Sequence, residues 1–592
     1  MKNIFIKNKK TLIAFVIILI QVIFISVSFG IRKQGYHSDE LWNYGFANSS
    51  DGMHIFSEDG ISLRNYMQWQ DSKKLLEYIS VDKSEIFDYA SIYKNVSKDL
   101  NPPLQNMLLH FICSFFPNIW SKWFCFIINI LAFIITQIYM YKLLFKATNN
   151  YAISLLGISL YGFGIGILNI SFFLRIYALG VAFVMMLMYY SYESSVQKDK
   201  TKEQNHAILM SSVSCLLGAL TVHLYLSIAF IIVFMFCLYF LFTKRIKTML
   251  KYGMSEALSV IISIILFPSA FSHMLNNSDF LEQKKYPTAW QFKIYWSFLT
   301  KDISGFHNSA LYTMTKHYVF VAIIILIAIT LPLCFLFRNE NWFKSLISRS
   351  KNRVVYLWKS KSDFPYILII LIVSINFFIL IDAAHSSIPY MGIYSRRYIF
   401  LIYPLYAVLF ILLIYYFIKI FNVKNKISNV IILLICLVAI PLTYVYSEDF
   451  FSFRHIEAGV TFDDIEKDAN CIILFNDIWM LTCATNELYD TNSFYASIYE
   501  NDDYIQDNYA ENIDTTKPLY LLLDVSTFID PDAMKESNKL IIADESNYDL
   551  LGYLNNKDEI LEYYENLEIS SKLELVGVDK LYDRVFEIYR LN

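Results

Sequence analysis

The chain has 592 residues, 56% of them hydrophobic, 17% aromatic and only 17% charged, with a formal net charge of −3. A soluble domain carries about a quarter charged residues, and 17 Gly with 12 Pro are too few for a disordered or fibrous chain. These figures exclude a string of soluble domains and leave a multispanning membrane domain with something smaller attached.

Lys7, Lys9 and Lys10 precede the first apolar run, 11–30. It is longer than the core of a cleaved leader, and the bulky Ile31 and Arg32 make a poor cleavage site, so it reads as a retained first span. A long loop, 31–122, follows. It contains 104–116, an apolar run of about 13 residues bracketed by Pro102, Pro103 and Pro117. Runs near the ~20-residue span length come next, at 123–145, 151–170, 172–192, 206–221, 224–242, 254–271, 318–337, 364–381, 398–421 and 427–446. Eleven spans result.

Basic connections stay on the cytoplasmic side, and here they are 142–146, 198–202, 244–251, 338–361 and 419–426. All of them lie inside only if 104–116 does not cross. That short run is therefore expected to dip into or lie along the outer face. The N-terminus is then cytoplasmic, and everything after residue 446 is outside.

The small net charge conceals an asymmetry. Residues 447–592 hold 32 acidic and 10 basic side chains, against 21 and 40 in residues 1–446. The expected division is a membrane domain, 1–446, and an extracytoplasmic acidic α/β domain, 447–592. In the latter, strands are predicted at 471–475, 518–525 and 539–543, helices at 478–488 and 559–567, and a closing hairpin from 572–578 and 585–591. No glycine-rich phosphate loop follows a strand, so a nucleotide site is unsupported. The acidic residues read as a solvated surface. Six of the eight cysteines sit in apolar segments as small buried hydrophobes. Cys471 and Cys483 face an oxidising side, where a disulfide is open to them. No cysteine spacing suggests zinc.

Five features carry chemistry, and all fall on the expected outer side. His37-Ser38-Asp39-Glu40 follows the first span; adjacent carboxylates there suit a general base or a metal ligand, or simply a helix start with Ser38 as its cap and acids in the first turn. Asn101-Pro102-Pro103-Leu104 enters the short apolar run as a helix start. Arg175-Ile176-Tyr177-Ala178-Leu179 puts an arginine near the outer end of an apolar run, either as a site residue or snorkelling to the interface. His223-Leu224-Tyr225 lies on an outer turn. Arg396-Arg397-Tyr398 opens the tenth span against the positive-inside bias, and guanidinium groups bind phosphate oxygens bidentately.

In this order the set resembles the GT-C superfamily of membrane glycosyltransferases, especially the branch of bacterial aminoarabinose transferases and protein O-mannosyltransferases (glycosyltransferase family 39-like). The resemblance covers residues 1–446. Two positions depart from the pattern: Asn101 stands where His usually precedes Pro-Pro, and Phe173 stands where many relatives carry Glu.

The resemblance implies a mainly α, GT-C-like fold and transfer of a sugar from a polyprenyl-phosphate donor. The acceptor would be an extracytoplasmic glycan, lipid or protein. It also implies Asp39 as general base with inversion at the anomeric carbon, and Glu40 orienting Asp39, an acceptor or a metal. Arg175, Arg396, Arg397 and Tyr177 would hold the donor phosphate, and His37, Asn101, His223 and Tyr225 would position donor or acceptor. No cofactor is required with certainty; a divalent metal is compatible with Asp39, Glu40 and His223. Membrane lipids are expected partners and nucleic acid is not. The Ile-, Lys-, Asn- and Tyr-rich composition points to a bacterial plasma membrane. The alternatives are a polyprenyl-diphosphate glycan polymerase or ligase, and a lipid or sugar transporter. Against the latter, no internal repeat is visible and mid-span charges are nearly absent.

Overall fold

Side chains that are apolar all round a segment force it to bury its backbone polar groups internally, which in lipid means a helix. The computed structural model describes residues 2–50, 68–99, 101–197, 199, 201–269, 287–304, 340–341, 344–345, 348, 351–352, 364–385, 392–420, 449–456, 458–475, 482–498, 516–528, 551–553, 557–565, 572–582 and 584–591. In chain order its first helices are α1 (Lys2–Arg32), α2 (Ser38–Asn48), α3 (Lys73–Ile79), α4 (Tyr89–Val96), α5 (Leu104–Cys113) and α6 (Lys122–Thr148). They are followed by α7 (Tyr151–Gly162), α8 (Ile165–Phe172), α9 (Tyr177–Val196), α10 (Lys202–Ala219), α11 (Leu224–Phe242) and α12 (Ile246–Leu266). Helices Thr288–Ser304 and Phe364–His385 come next, then a 3-10 segment, Gly392–Ile402, that runs into helix Tyr403–Ile420.

Six of the described helices are long and apolar enough to cross a membrane, and the pair α7 and α8, bent by 54° at a short break, makes a seventh if counted as one span. The runs expected at 172–192 and 206–221 fold as α9 and α10, packed against each other. Those expected at 318–337 and 427–446 lie outside the described residues, as does the strand expected at 539–543. The short run does not form a span-length helix. It is the ten-residue α5, about 15 Å long at 1.5 Å per residue, half a hydrocarbon core. It is fastened sideways to α2: Asn106 Nδ2 donates to Asn43 O at 3.1 Å, and His110 Nδ1 lies 2.8 Å from Ala47 O.

Several polar side chains inside the bundle are paired with each other or with backbone. Gln21 of α1 and Gln137 of α6 both donate to Ile158 O of α7, and Gln137 also donates to Gln21 Oε1 at 2.8 Å. The break between α8 and α9 exposes carbonyls that a continuous helix would satisfy. Asn129 Nδ2 donates to Ser171 O and Phe173 O, and Asn43 Nδ2 donates to Leu174 O. Irregular backbone inside a bundle persists only with such partners.

After residue 448 the chain builds a small sheet region. Its strands are β1 (Gln70–Asp71), β2 (Ala458–Gly459), β3 (Asn470–Phe475), β4 (Ser493–Ile498), β5 (Leu519–Asp524), β6 (Ser526–Phe528), β7 (Leu551–Tyr553), β8 (Leu573–Leu581) and β9 (Arg584–Leu591). Seven of them form a mixed sheet in the order β1-β4-β3-β5-β9-β8-β2; β6 and β7 pair separately. β4, β3 and β5 run parallel, and β5, β9 and β8 antiparallel. β3 and β5 are buried on both faces, as parallel strands covered on both sides must be. β1 comes from the first loop and pairs antiparallel with β4. A cut at Ser447 therefore leaves one edge strand of the sheet on the other side. Cys471 and Cys483 are both buried, and no disulfide joins them.

The junction between the two regions is tightly tied. Gln34 N–H donates to Ser452 O at 2.9 Å and Gly35 N–H to Phe453 O at 2.8 Å. A Cβ on Gly35 would meet Phe453 O at 2.9 Å, so this close approach needs glycine. Arg32 Nη1 pairs with Asp449 Oδ2 at 2.7 Å.

Candidate active site

The residues after α1 turn sharply into α2, and a reciprocal cap fixes the turn. His37 Nδ1 accepts the Asp39 N–H at 3.0 Å, while the Glu40 carboxylate accepts the His37 N–H at 2.7 Å. At 3.6 residues per turn, neighbouring helix positions diverge by about 100°, so the two carboxylates face different surroundings.

Glu40 faces inward and is fully buried. Lys33 Nζ lies 2.8 Å from both of its oxygens, and the Leu174 N–H donates to Oε1 at 2.8 Å. Lys33 also donates to Phe451 O and sits over the rings of Tyr36 and Phe453. Burial pushes the Glu40 carboxyl up and Lys33 down to about 8, the mark of an ion pair held out of water. Every partner of Glu40 ties one element to another: the α1–α2 turn, the α8–α9 break and, through Lys33, segment 449–456. Its place is structural.

Asp39 faces the other way, with 15% of its side chain exposed. Arg397 Nη2 stands 3.3 Å from its Oδ2, and His37 Nδ1 3.8 Å from its Oδ1. Burial raises the Asp39 carboxyl, but Arg397 above all, helped by Arg175, outweighs it and holds the group well below the usual carboxylate range. Asp39 is therefore ionised and able to accept a proton, with its basicity restrained by the paired arginine. Burial, with the Arg397, Arg175 and Lys33 charges and against Asp39, lowers His37 to about 3, so its ring is neutral.

The two consecutive arginines part ways. Arg397 reaches Asp39 and also His37 Nε2, 2.9 Å from its Nη1. Arg396 points into the bundle and is 1% exposed. It pairs with Asp302 of helix Thr288–Ser304 at 3.1 Å and stacks between Phe298 and Phe450, 4.7 and 3.7 Å from their centroids. Tyr403 donates to the same Asp302 carboxylate. Arg396 thus braces the bundle rather than joining Asp39.

Arg175 lies in the α8–α9 break, buried, and its Nη1 has no hydrogen-bond partner among the described residues. Its charge acts on both His37 and Asp39. Phe173 forms a floor: its ring lies 5.7 Å from those of His37 and Tyr177, 4.5 Å from Phe451, and 5.9 Å from the Arg397 guanidinium. Tyr394, Phe453 and Tyr582 wall the opposite side.

Other residues singled out in the sequence sit elsewhere. Asn101 Nδ2 lies 3.4 Å from Asp99 Oδ2. Tyr225 is buried over Gly218, donating to Ser214 O at 3.0 Å, so it joins α10 to α11. His223 is half-buried at the start of α11. Among the described residues, no group of three or more His, Cys, Asp or Glu side chains is arranged to hold a metal ion. Lys33, Asp302 and Tyr582 carried no sequence signal; each matters only through partners distant in the chain.

No protein-family model and no curated protein matches the chain. Solved structures do. ArnT from Cupriavidus metallidurans in the apo state aligns at 9% identity and TM-score 0.39, covering 93% of this chain and 95% of that one. The same protein bound to undecaprenyl phosphate aligns at 10% and 0.40, covering 98% and 97%. The archaeal oligosaccharyltransferase AglB from Archaeoglobus fulgidus, in complex with an inhibitory peptide and a dolichol-phosphate, aligns at 12% and 0.41, covering 86% and 69%.

Proposed function

We propose that this protein is an integral membrane glycosyltransferase that moves a sugar from a polyprenyl-phosphate carrier to a hydroxyl on an extracytoplasmic acceptor. The observation that carries the reading is the Asp39–Arg397 pair: an ionised, partly exposed carboxylate 3.3 Å from a guanidinium, beside a second buried arginine, Arg175, whose Nη1 has no partner among the described residues. A base and positive charge for a leaving phosphate are the two things this transfer needs.

In the proposed reaction Asp39 takes the proton of the acceptor hydroxyl as its oxygen attacks the anomeric carbon. The bond from that carbon to the phosphate oxygen breaks, the configuration inverts, and polyprenyl phosphate leaves with both electrons of that bond. A phosphate leaving group is a weak base and needs no proton from the protein. Charge develops on its oxygens, and Arg397 and Arg175 stabilise it. Phe173 and Tyr177 give the arginines a dry, aromatic surround, in which their charges act more strongly than in water. Glu40 holds the turn that aims Asp39.

The matching topology is eleven spans in a bacterial plasma membrane, with the N-terminus cytoplasmic and both the first loop and the C-terminal sheet outside. The test is reconstitution of the intact protein in liposomes with polyprenyl monophosphate and diphosphate glycans. Release of polyprenyl phosphate from the monophosphate donor, with an inverted product, is expected. Use of the diphosphate alone would make the protein a polymerase or ligase, and substrate accumulation without donor consumption a transporter.

A further inference from the structure

α5 is built inside out. Leu104, Leu108 and Phe111 recur at helical spacing, and Phe115 follows one turn further. This apolar stripe faces away from the protein: Phe111 is 48% exposed and Phe115 59%. The polar residues point the other way. Gln105, Asn106 and His110 are buried, with Asn106 donating to Asn43 O and Oδ1 and His110 Nδ1 standing 2.8 Å from Ala47 O. A helix that faces water shows the reverse arrangement.

A second segment is brought to the same stripe. Phe87, between α3 and α4, has φ +60°, a left-handed conformation that is costly for a bulky aromatic residue. Its N–H donates to Ser114 Oγ at 3.1 Å. Its ring lies 5.5 Å from that of Phe115 and 6.0 Å from that of Phe111, and those two are 5.2 Å apart. The unusual backbone does not hide the ring, because Phe87 and its neighbour Ile86 both stay exposed. A grouped, outward-facing aromatic patch marks a contact with something apolar.

Continuity identifies the occupant. Phe116 stacks on Phe124 of α6 at 5.1 Å, and the exposed Phe116 and Ile119 lead into Trp123, Ile127 and Leu131, the exposed stripe of α6. α6 is one of the helices long and apolar enough to cross a membrane, so that stripe faces acyl chains. The surface of α5 and Phe87 extends it without a break. Too short to cross, α5 meets lipid by lying along the bilayer, with aromatic rings at the boundary that they favour.

We propose that α5 and Phe87 form an aromatic wedge sunk into the acyl chains of the leaflet next to the site, and that this wedge holds α2, and with it Asp39, at the depth of the lipid headgroups. α2 rides on α5 through Asn43 and Ala47. The seating in lipid stands without the chemistry; its consequence for the donor rests on the proposed function.

The intact protein in nanodiscs of phosphatidylethanolamine and phosphatidylglycerol carries p-benzoylphenylalanine in place of Phe87, Phe111 or Phe115. The control places it at Lys467, whose side chain is 82% exposed in the sheet region. Irradiation should give phospholipid adducts through the acyl chains at the first three positions and none at the control. A covalent dimer would make the patch an interface between two copies, and no adduct would make it a water-facing surface; either result overturns the wedge. For the consequence, Phe111→Asp combined with Phe115→Asp should raise KM about tenfold for a sugar on undecaprenyl phosphate. The KM for the same sugar on a short, water-soluble prenyl phosphate should not change, because that donor is not held at bilayer depth. Equal losses on both donors would overturn the link from α5 to Asp39. No transfer from either donor by the wild type, with lipid adducts formed, would overturn the proposed function and leave the wedge standing.

Discussion

Two pairs of neighbours in the chain, Asp39 with Glu40 and Arg396 with Arg397, divide between two regions of the same junction. Glu40 and Arg396 turn inward. One is locked by Lys33 and two backbone N–H groups, the other by Asp302 and two aromatic faces. Asp39 and Arg397 turn outward and hold each other at 3.3 Å, with Asp39 still partly exposed. Residues of one type, adjacent in sequence, become bracing in one region and, in the proposed reaction, chemistry in the other. The inner pair is committed to its ion pairs with Lys33 and Asp302, whereas the outer pair borders the solvent-reachable Asp39.

The contrast breaks most visibly on the inner side. Glu40→Gln leaves the Lys33 ammonium buried without its counter-charge, and breaking a buried pair costs about 3–5 kcal/mol. Thermal unfolding in detergent should show a large drop in midpoint. Arg396→Ala should destabilise in the same assay, with donor KM nearly unchanged in whatever protein remains folded. Arg397→Ala should do the reverse, keeping the fold and weakening donor use about 10–100-fold, the range for a lost charged hydrogen bond.

A smaller effect sharpens the outer side. In the wild type Arg397 holds the Asp39 carboxyl down, so the acid limb of the kcat/KM profile should lie below the usual carboxylate range. In Arg397→Lys, whose point charge replaces a planar fork, that limb should move to higher pH. A limb that stayed in place would separate Asp39 from the titration.

The smallest effect concerns the hairpin anchor. Desolvation lowers His455, but Asp579, Glu487 and Asp463 raise it more, to about 9. A raised folded-state value means the stabilisation is complete below about 6.5. It is then lost as pH rises through about 9. Hydrogen exchange of β8 and β9 should therefore quicken between those values, and His455→Gln should remove that dependence.

Much of this was legible in the sequence. Asp39, Arg175 and Arg397 are each a charged residue at the edge of an apolar run, which is a strong local signal. A capped helix start there also reads from local spacing, although the cap is His37 and not Ser38, and the last hairpin reads from alternation. The division of labour within each pair was not legible, because it depends on Lys33, Asp302 and Leu174, and side-chain direction at residue 396 against 397 is decided by packing. Tyr582 lies 545 residues from His37, and nothing local marks a hairpin turn as part of a site. The packing of Tyr225 over Gly218 was not legible either, because its contact partner lies on the preceding helix.

The most direct test of the central claim is a single-turnover transfer measurement with Asp39→Asn and Glu40→Gln side by side, using a polyprenyl-phosphate sugar donor and matched amounts of folded protein. The account predicts that Asp39→Asn keeps wild-type stability and loses about 10²–10⁴-fold in rate, the worth of a general base. Folded Glu40→Gln should retain far more of its rate than that. Transfer by Asp39→Asn at the wild-type rate would contradict it.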